Sequence, residues 1–183
     1  MFAEIQTARL LLRPLRDTDA EALTALAGNW DVARMTARIP HPYPEGLAKR
    51  WIAEQAAARE SGDAFAFAIL LEGRLVGLVG LEHQDGGRFE LGYWIGEPWW
   101  GQGFATEAAG AAVRFAFEAL GADSLEAGWL FDNPASGRVL AKCGFVRTGE
   151  MMQWCEARGQ AVKCHRLILA ADRRRPASEL ALR

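Results

Sequence analysis

Apolar and polar positions divide most of the chain into short elements. Leu10, Leu12 and Leu15 mark a short strand that Pro14 closes, and Thr18 with Glu21 has the spacing of a capping box for a helix ended by Gly28. Residues 29 to 44 carry Pro40, Pro42 and Pro44, each of which removes a donor and restricts its predecessor, so this stretch reads as a loop. From Glu45 to about Glu60 an alanine-rich pattern with Leu47, Trp51 and Gln55 on one stripe predicts an amphipathic helix stopped by Gly62. Three apolar runs follow, Ala64 to Leu71, Leu75 to Leu81 and Phe89 to Ile95, separated by turns of hairpin length, and they predict antiparallel strands.

Beyond them lie a glycine-rich stretch (96 to 103), a helix from about Ala105 to Leu120 and a strand from about Ser124 to Phe131. A strand that returns after a long helix can pair parallel, which a hairpin cannot, so the sheet should be mixed. Asn133-Pro134 opens a short helix to about Cys143, and strands near Phe145 to Gln153 and Val162 to Leu169 complete the pattern. The expected architecture is a single mixed α/β domain over residues 1–171, with a charged tail from Asp172 to Arg183.

With 183 residues, 50% of them apolar, and a net charge of −2, the chain can build one core and has no global charge excess to draw nucleic acid or membrane. The longest apolar run, Ala64 to Leu71, falls well short of the roughly 20 residues of a membrane span, and Met1 to Arg13 lacks a signal-peptide core. Three cysteines without a CxxC pair suit a reducing, cytoplasmic setting. Three histidines without ligand spacing give no reason to expect a metal.

The chemistry concentrates at Glu90-Leu-Gly-Tyr-Trp-Ile-Gly-Glu-Pro-Trp-Trp-Gly-Gln-Gly-Phe-Ala-Thr-Glu-Ala, where a strand runs through a loop with Gly101 and Gly103 into a helix. Glycines permit close backbone approach, and the first N–H groups of a helix attract anions. A tight turn is the plain alternative. A Walker loop is disfavoured because Phe104 follows Gly103, and a dinucleotide fingerprint lacks its third glycine, with Thr106 in that place.

At these residues the sequence resembles the GNAT N-acetyltransferases of the RimJ/RimL type. Thr7-x-Arg9-Leu-x-Leu12-Arg13-Pro14 is similar to that branch's opening strand, Gly92-Tyr-Trp-Ile-Gly with Trp100-Gly-Gln-Gly-Phe-Ala105-Thr-Glu-Ala to its acetyl-CoA segment, and Asn133-x-x-Ser136 with Lys142-Cys-Gly144-Phe145 to its last motif. The superfamily pattern Q/R-x-x-G-x-G/A begins here with Trp100. The resemblance implies acetyl-CoA as cosubstrate, held between the strands ending at Ile95 and Phe131, which splay apart. The pantetheine would pair with backbone around Tyr93, Trp94 and Ile95, the pyrophosphate would rest on Gly101, Gln102, Gly103, Phe104, Ala105 and Thr106, and Asn133 would also be a cofactor-binding residue. It also implies Ser136 as the proton donor to the leaving thiolate.

Attack on the thioester needs a neutral amine. Glu90 is the carboxylate nearest the reaction end of the strand and the first candidate base, directly or through water, with ion pairing to Arg88 as its structural alternative. His83, Asp132 and Glu150 are further candidates. Trp51, Trp129 and Trp154 fit core or groove wall, and the loops 29 to 44 and 155 to 161 are expected to set acceptor choice. The expected partner is a small-molecule or peptide amine, with a homodimer allowed. A non-catalytic acetyl-CoA-binding protein and a dinucleotide-binding oxidoreductase are the rival readings.

Overall fold

The three apolar runs form the middle of the sheet in a computed structural model that describes residues 4–171; the expected charged tail from Asp172, with its Arg173-Arg174-Arg175 run, lies outside the described residues. They become β3 (Ala64–Leu71), β4 (Arg74–Gln84) and β5 (Arg88–Ile95), paired antiparallel in sequence. On one side β2 (Leu10–Pro14) pairs with β3, and β1 (Ile5–Gln6) pairs with β2. On the other, β6 (Ser124–Leu130) lies parallel to β5, followed by β8 (Gln160–Ala170) and then β7 (Val146–Cys155) at the edge. Among the described strands β5 and β6 are the only parallel pair, as the long connection between them requires.

Helices cover both faces. Helix α4 (Phe104–Glu118) lays Ala108, Ala109, Ala112 and Ala116 on the main core, against Phe89, Leu91, Leu125 and Ala127. Its small side chains bring the helix axis close to the strands. The opposite face packs α1 (Ala20–Ala27) and α3 (Leu47–Ser61), through Leu23, Ala48 and Ile52, on Leu70 and Leu78. The buried stripe of α3 is therefore Ala48 and Ile52, while the expected Trp51 packs half-buried at its side.

Three expectations are corrected. The stretch 29–44 is not wholly irregular: Asn29 accepts the N–H groups of Asp31 and Val32 and starts a short helix, α2 (Trp30–Ala33), ahead of the prolines. The Thr18/Glu21 box does not form. Asp19 instead receives Arg13 through two bonds of 2.7 Å and the Arg16 N–H at 2.8 Å, so an internal ion pair, with both side chains under a tenth exposed, fixes the chain between β2 and α1. Trp154 is 51% exposed, because β7 is an edge strand with no layer over that side chain.

The parallel pairing of β5 and β6 stops part-way along both strands. Their register runs from Arg88↔Ser124 to Leu91↔Ala127 and ends there, while β5 stays on β4 as far as Ile95 and β6 stays on β8 as far as Leu130. Each strand follows its outer neighbour, and a split opens between them. Helix α4 starts beyond the end of β5, and α5 (Pro134–Lys142) beyond the end of β6. Among the described residues no helix is long and apolar enough to cross a membrane.

Candidate active site

The loop from β5 to α4 leaves its amides unspent. The Trp100 N–H donates to the Glu97 carbonyl at 3.1 Å, and the next bonded amide is that of Glu107, to the Gly103 carbonyl at 3.1 Å. Between them the N–H groups of Gly101, Gln102, Gly103, Phe104, Ala105 and Thr106 have no acceptor among the described residues. Gly101 and Gly103 hold φ of 75° and 83°, the left-handed region that disfavours a side chain, and Gly103 caps α4 with no side-chain bond. A row of unsatisfied donors at the positive end of a helix has the chemistry to bind an anion through backbone alone.

Neighbouring side chains hold this loop in shape. Phe104 is buried in the main core, and the Gln102 amide reaches back to the Pro98 carbonyl at 3.3 Å. Trp100, where the superfamily pattern has Gln or Arg, turns its indole Nε1–H onto the Ile95 carbonyl at 2.6 Å. That carbonyl was expected to be free for a ligand; the indole takes it because the loop folds Trp100 back over the end of β5.

Across the split, the expected hydroxyl is built in. Asn133 accepts the Ser136 N–H at 3.2 Å, and Pro134 fills the first helical position, where a missing donor costs nothing. A Cβ on Gly137 would stand 2.7 Å from the Trp129 indole, so only glycine lets α5 settle on that ring. The Tyr93 hydroxyl lies 2.9 Å from Ser136 Oγ and 3.0 Å from the Ser136 carbonyl, which makes it a bridge from β5 to α5. Burial pushes the Tyr93 phenol well above its ordinary pKa, the bond to Ser136 only partly opposing it, so the ring keeps its proton.

Glu90 sits on the other face of β5, half-exposed, with Arg38 Nη2 4.0 Å from its carboxylate. Arg38, from the loop after α2, also pairs with Glu82, the cross-strand neighbour of Glu90. Arg88 is not the partner of Glu90; it binds Glu126 at 2.8 Å. Trp94 shares the Glu90 face and packs beside the second core cluster. Asp132 is committed to Arg158 at 2.8 Å, Glu150 to Lys163 and Arg147 with His165 Nδ1 3.4 Å away and not hydrogen-bonded to it, and His83 stacks edge-on to Phe89. The hydrogen bond from Lys163 is the main reason the Glu150 carboxyl lies below its usual range.

The two loops expected to set acceptor choice are joined. Arg158 donates to the Arg34 carbonyl at 2.6 Å, and the Glu156 N–H to that of Ala37 at 2.9 Å. An open depression there is lined by Trp30, Asp31, Arg34, Arg158 and Gln160. Sequence reasoning named Tyr93 only for its backbone and did not assign a site role to Arg9 or Glu107, which grip the loop from the far side.

The fold is shared with acetyltransferases of known structure. RimL, a ribosomal L7/L12 alpha-N-protein acetyltransferase solved with coenzyme A, matches with a TM-score of 0.83 at 18% identity, over 93% of this chain and 99% of that one. Mycobacterium smegmatis RimJ, in complex with CoA-disulfide, gives 0.78 at 23%, over 93% and 86%. At these identities the likeness is one of fold.

Sequence carries it further. Residues 9–146 match the family model described as acetyltransferase (GNAT) domain. The Bacillus subtilis (strain 168) protein "Uncharacterized N-acetyltransferase YoaA" is 31% identical over 176 residues, 87% of this chain and 92% of that protein. The Escherichia coli (strain K12) ribosomal protein uS5-alanine N-acetyltransferase is 29% identical, over 85% and 84%. The chain belongs to the GNAT acetyltransferase family and is an N-acetyltransferase; a ribosomal-protein N-acetyltransferase is among the relatives it resembles.

Proposed function

We propose that the protein moves acetyl from acetyl-CoA to a primary amine by direct attack within a ternary complex. The observation that carries the reading is the run of free amides from Gly101 to Thr106 beside the opened strands. The diphosphate accepts from those N–H groups, and the pantetheine runs along the edge of β5 that β6 leaves unpaired after Leu91. Because Trp100 holds the Ile95 carbonyl, pairing with the pantetheine falls on backbone upstream of it. This directs the thioester into the split.

Strand alternation separates the two proton tasks. Glu90, Gly92 and Trp94 share one face of β5, and Tyr93 lies on the other with Ser136. The amine enters from the Glu90 face, and an N-terminal amine, with a pKa near 7.7 to 8.0, is partly neutral without help, whereas a lysine near 10.4 is not. Its nitrogen bonds to the thioester carbonyl carbon, the C–S bond breaks, and Ser136 Oγ–H protonates the departing thiolate. Tyr93 returns a proton to the serine through its 2.9 Å contact and regains its own from water, which closes the cycle. The excess amine proton leaves through Glu90 or water. No acetyl-enzyme is needed.

Acceptors named for relatives support the amine class: ribosomal protein uS5 alanine in one, and spermidine in a Vibrio cholerae enzyme solved with CoA and spermine. All three cysteines are free thiols, which supports a cytoplasmic setting. The test is thiol release from acetyl-CoA with a panel of N-terminal peptides, polyamines and amino acids, with products checked by mass. Acetylation of at least one class is expected. Tight coenzyme binding with no turnover on any amine, in the panel or in cell extract, contradicts the reading.

A further inference from the structure

Glu107 presents a puzzle of placement. It stands in the first turn of α4, the turn whose N–H groups are free, and a carboxylate there is drawn to the same positive helix end as an anionic ligand. Left alone it would compete for the amides. It does not, because its oxygens are turned away and fully engaged. Oε1 accepts from the Thr7 hydroxyl at 2.7 Å and the Arg9 N–H at 2.8 Å, and Oε2 from Arg9 Nε and Nη2, both at 2.7 Å.

The same guanidinium does a second thing. Its Nη1 donates to the Gln102 carbonyl at 2.9 Å, and its plane covers the Phe104 ring at 4.6 Å. The Gln102 carbonyl and the Gly103 N–H belong to one peptide unit, and in a trans peptide they point in opposite directions. Capturing the carbonyl on the Arg9 side therefore aims the Gly103 N–H to the opposite side, into the cradle.

We propose that Arg9 is a positioning residue for the diphosphate site: it orients the Gly103 amide through the Gln102 carbonyl and keeps the Glu107 carboxylate off the free N–H groups. The inference rests on reading those amides as the diphosphate site. It assigns Arg9 no contact with the coenzyme: its role is carried by the three N–H groups, of five, that bind Glu107 and the Gln102 carbonyl.

The experiment is a double-mutant cycle read by calorimetric titration of coenzyme A, acetyl-CoA kinetics and melting temperature. Arg9→Ala should weaken coenzyme binding about tenfold and raise KM for acetyl-CoA in step, with kcat within about twofold. Glu107→Gln alone should leave binding within about threefold of the parent, and Arg9→Ala/Glu107→Gln should bind tighter than Arg9→Ala by about threefold. A merely structural Arg9, or one that touched the diphosphate, gives a double variant no better than Arg9→Ala; that result overturns the proposal. Should Arg9→Ala fold poorly, Arg9→Lys, whose single ammonium cannot span both acceptors, must show the same relief by Glu107→Gln. Parent protein that fails to bind coenzyme A refutes the diphosphate reading itself, whereas a binding parent with unmoved variants refutes only the role of Arg9.

Discussion

Helices α4 and α5 begin on opposite rims of the same split, and they begin in opposite ways. The start of α4 is uncapped: a glycine stands at the N-cap, the nearest carboxylate is drawn off by Thr7 and Arg9, and the amides from Gly101 to Thr106 are left free. The start of α5 is closed by its own sequence, with Asn133 on the Ser136 amide and Pro134 at the first position. In the proposed mechanism the uncapped start offers the backbone itself to the ligand, whereas the capped start satisfies the backbone and holds one side chain, the Ser136 hydroxyl, at a fixed point. The comparison explains why a glycine stands at the N-cap of α4 and an asparagine at that of α5.

The largest break in this contrast comes from Gly103→Val. A β-branched side chain at φ 83° forces the loop out of its conformation, and coenzyme A binding should fall about 100-fold, by calorimetry, while the core under α4 stays folded. On the α5 rim, Ser136→Ala should instead lower kcat at least about tenfold with little change in coenzyme affinity. Tyr93→Phe removes the replacement proton but leaves the serine, so a smaller loss in kcat, about threefold, is expected in the same assay. Smallest is Asn133→Ala, which should cost about 1 kcal/mol of stability in a melting experiment and leave coenzyme affinity unchanged. If Asn133→Ala weakened coenzyme binding as strongly as Gly103→Val, the two rims would not divide the work as described.

Much of this was legible in the chain because it is local. The hairpin strands β3 to β5, the helix after the glycines and the mixed sheet follow from apolar periodicity and connection length, and Gly101 and Gly103 announce a loop of unusual conformation. The Asn133-Pro134 start of α5 is likewise written in consecutive residues. What escaped is what folding brings together from afar. Arg9 and Glu107 are separated by 98 positions, and the Tyr93 hydroxyl meets Ser136 only because Gly137 seats α5 on Trp129. The strand position of Glu90 is legible from alternation, yet its neighbour Arg38 comes from a loop whose path over the sheet no periodicity encodes. The Asp19 side chain displaced the expected Thr18/Glu21 cap because burial beside Arg13 offers it more bonds than a surface capping box would.

The most direct test is the structure of the protein with coenzyme A bound. The account predicts diphosphate oxygens within hydrogen-bond distance of several N–H groups between Gly101 and Thr106, with the sulfur end in the opening between β5 and β6. Diphosphate bound elsewhere, with those amides still facing nothing or satisfied from within the chain, would contradict it.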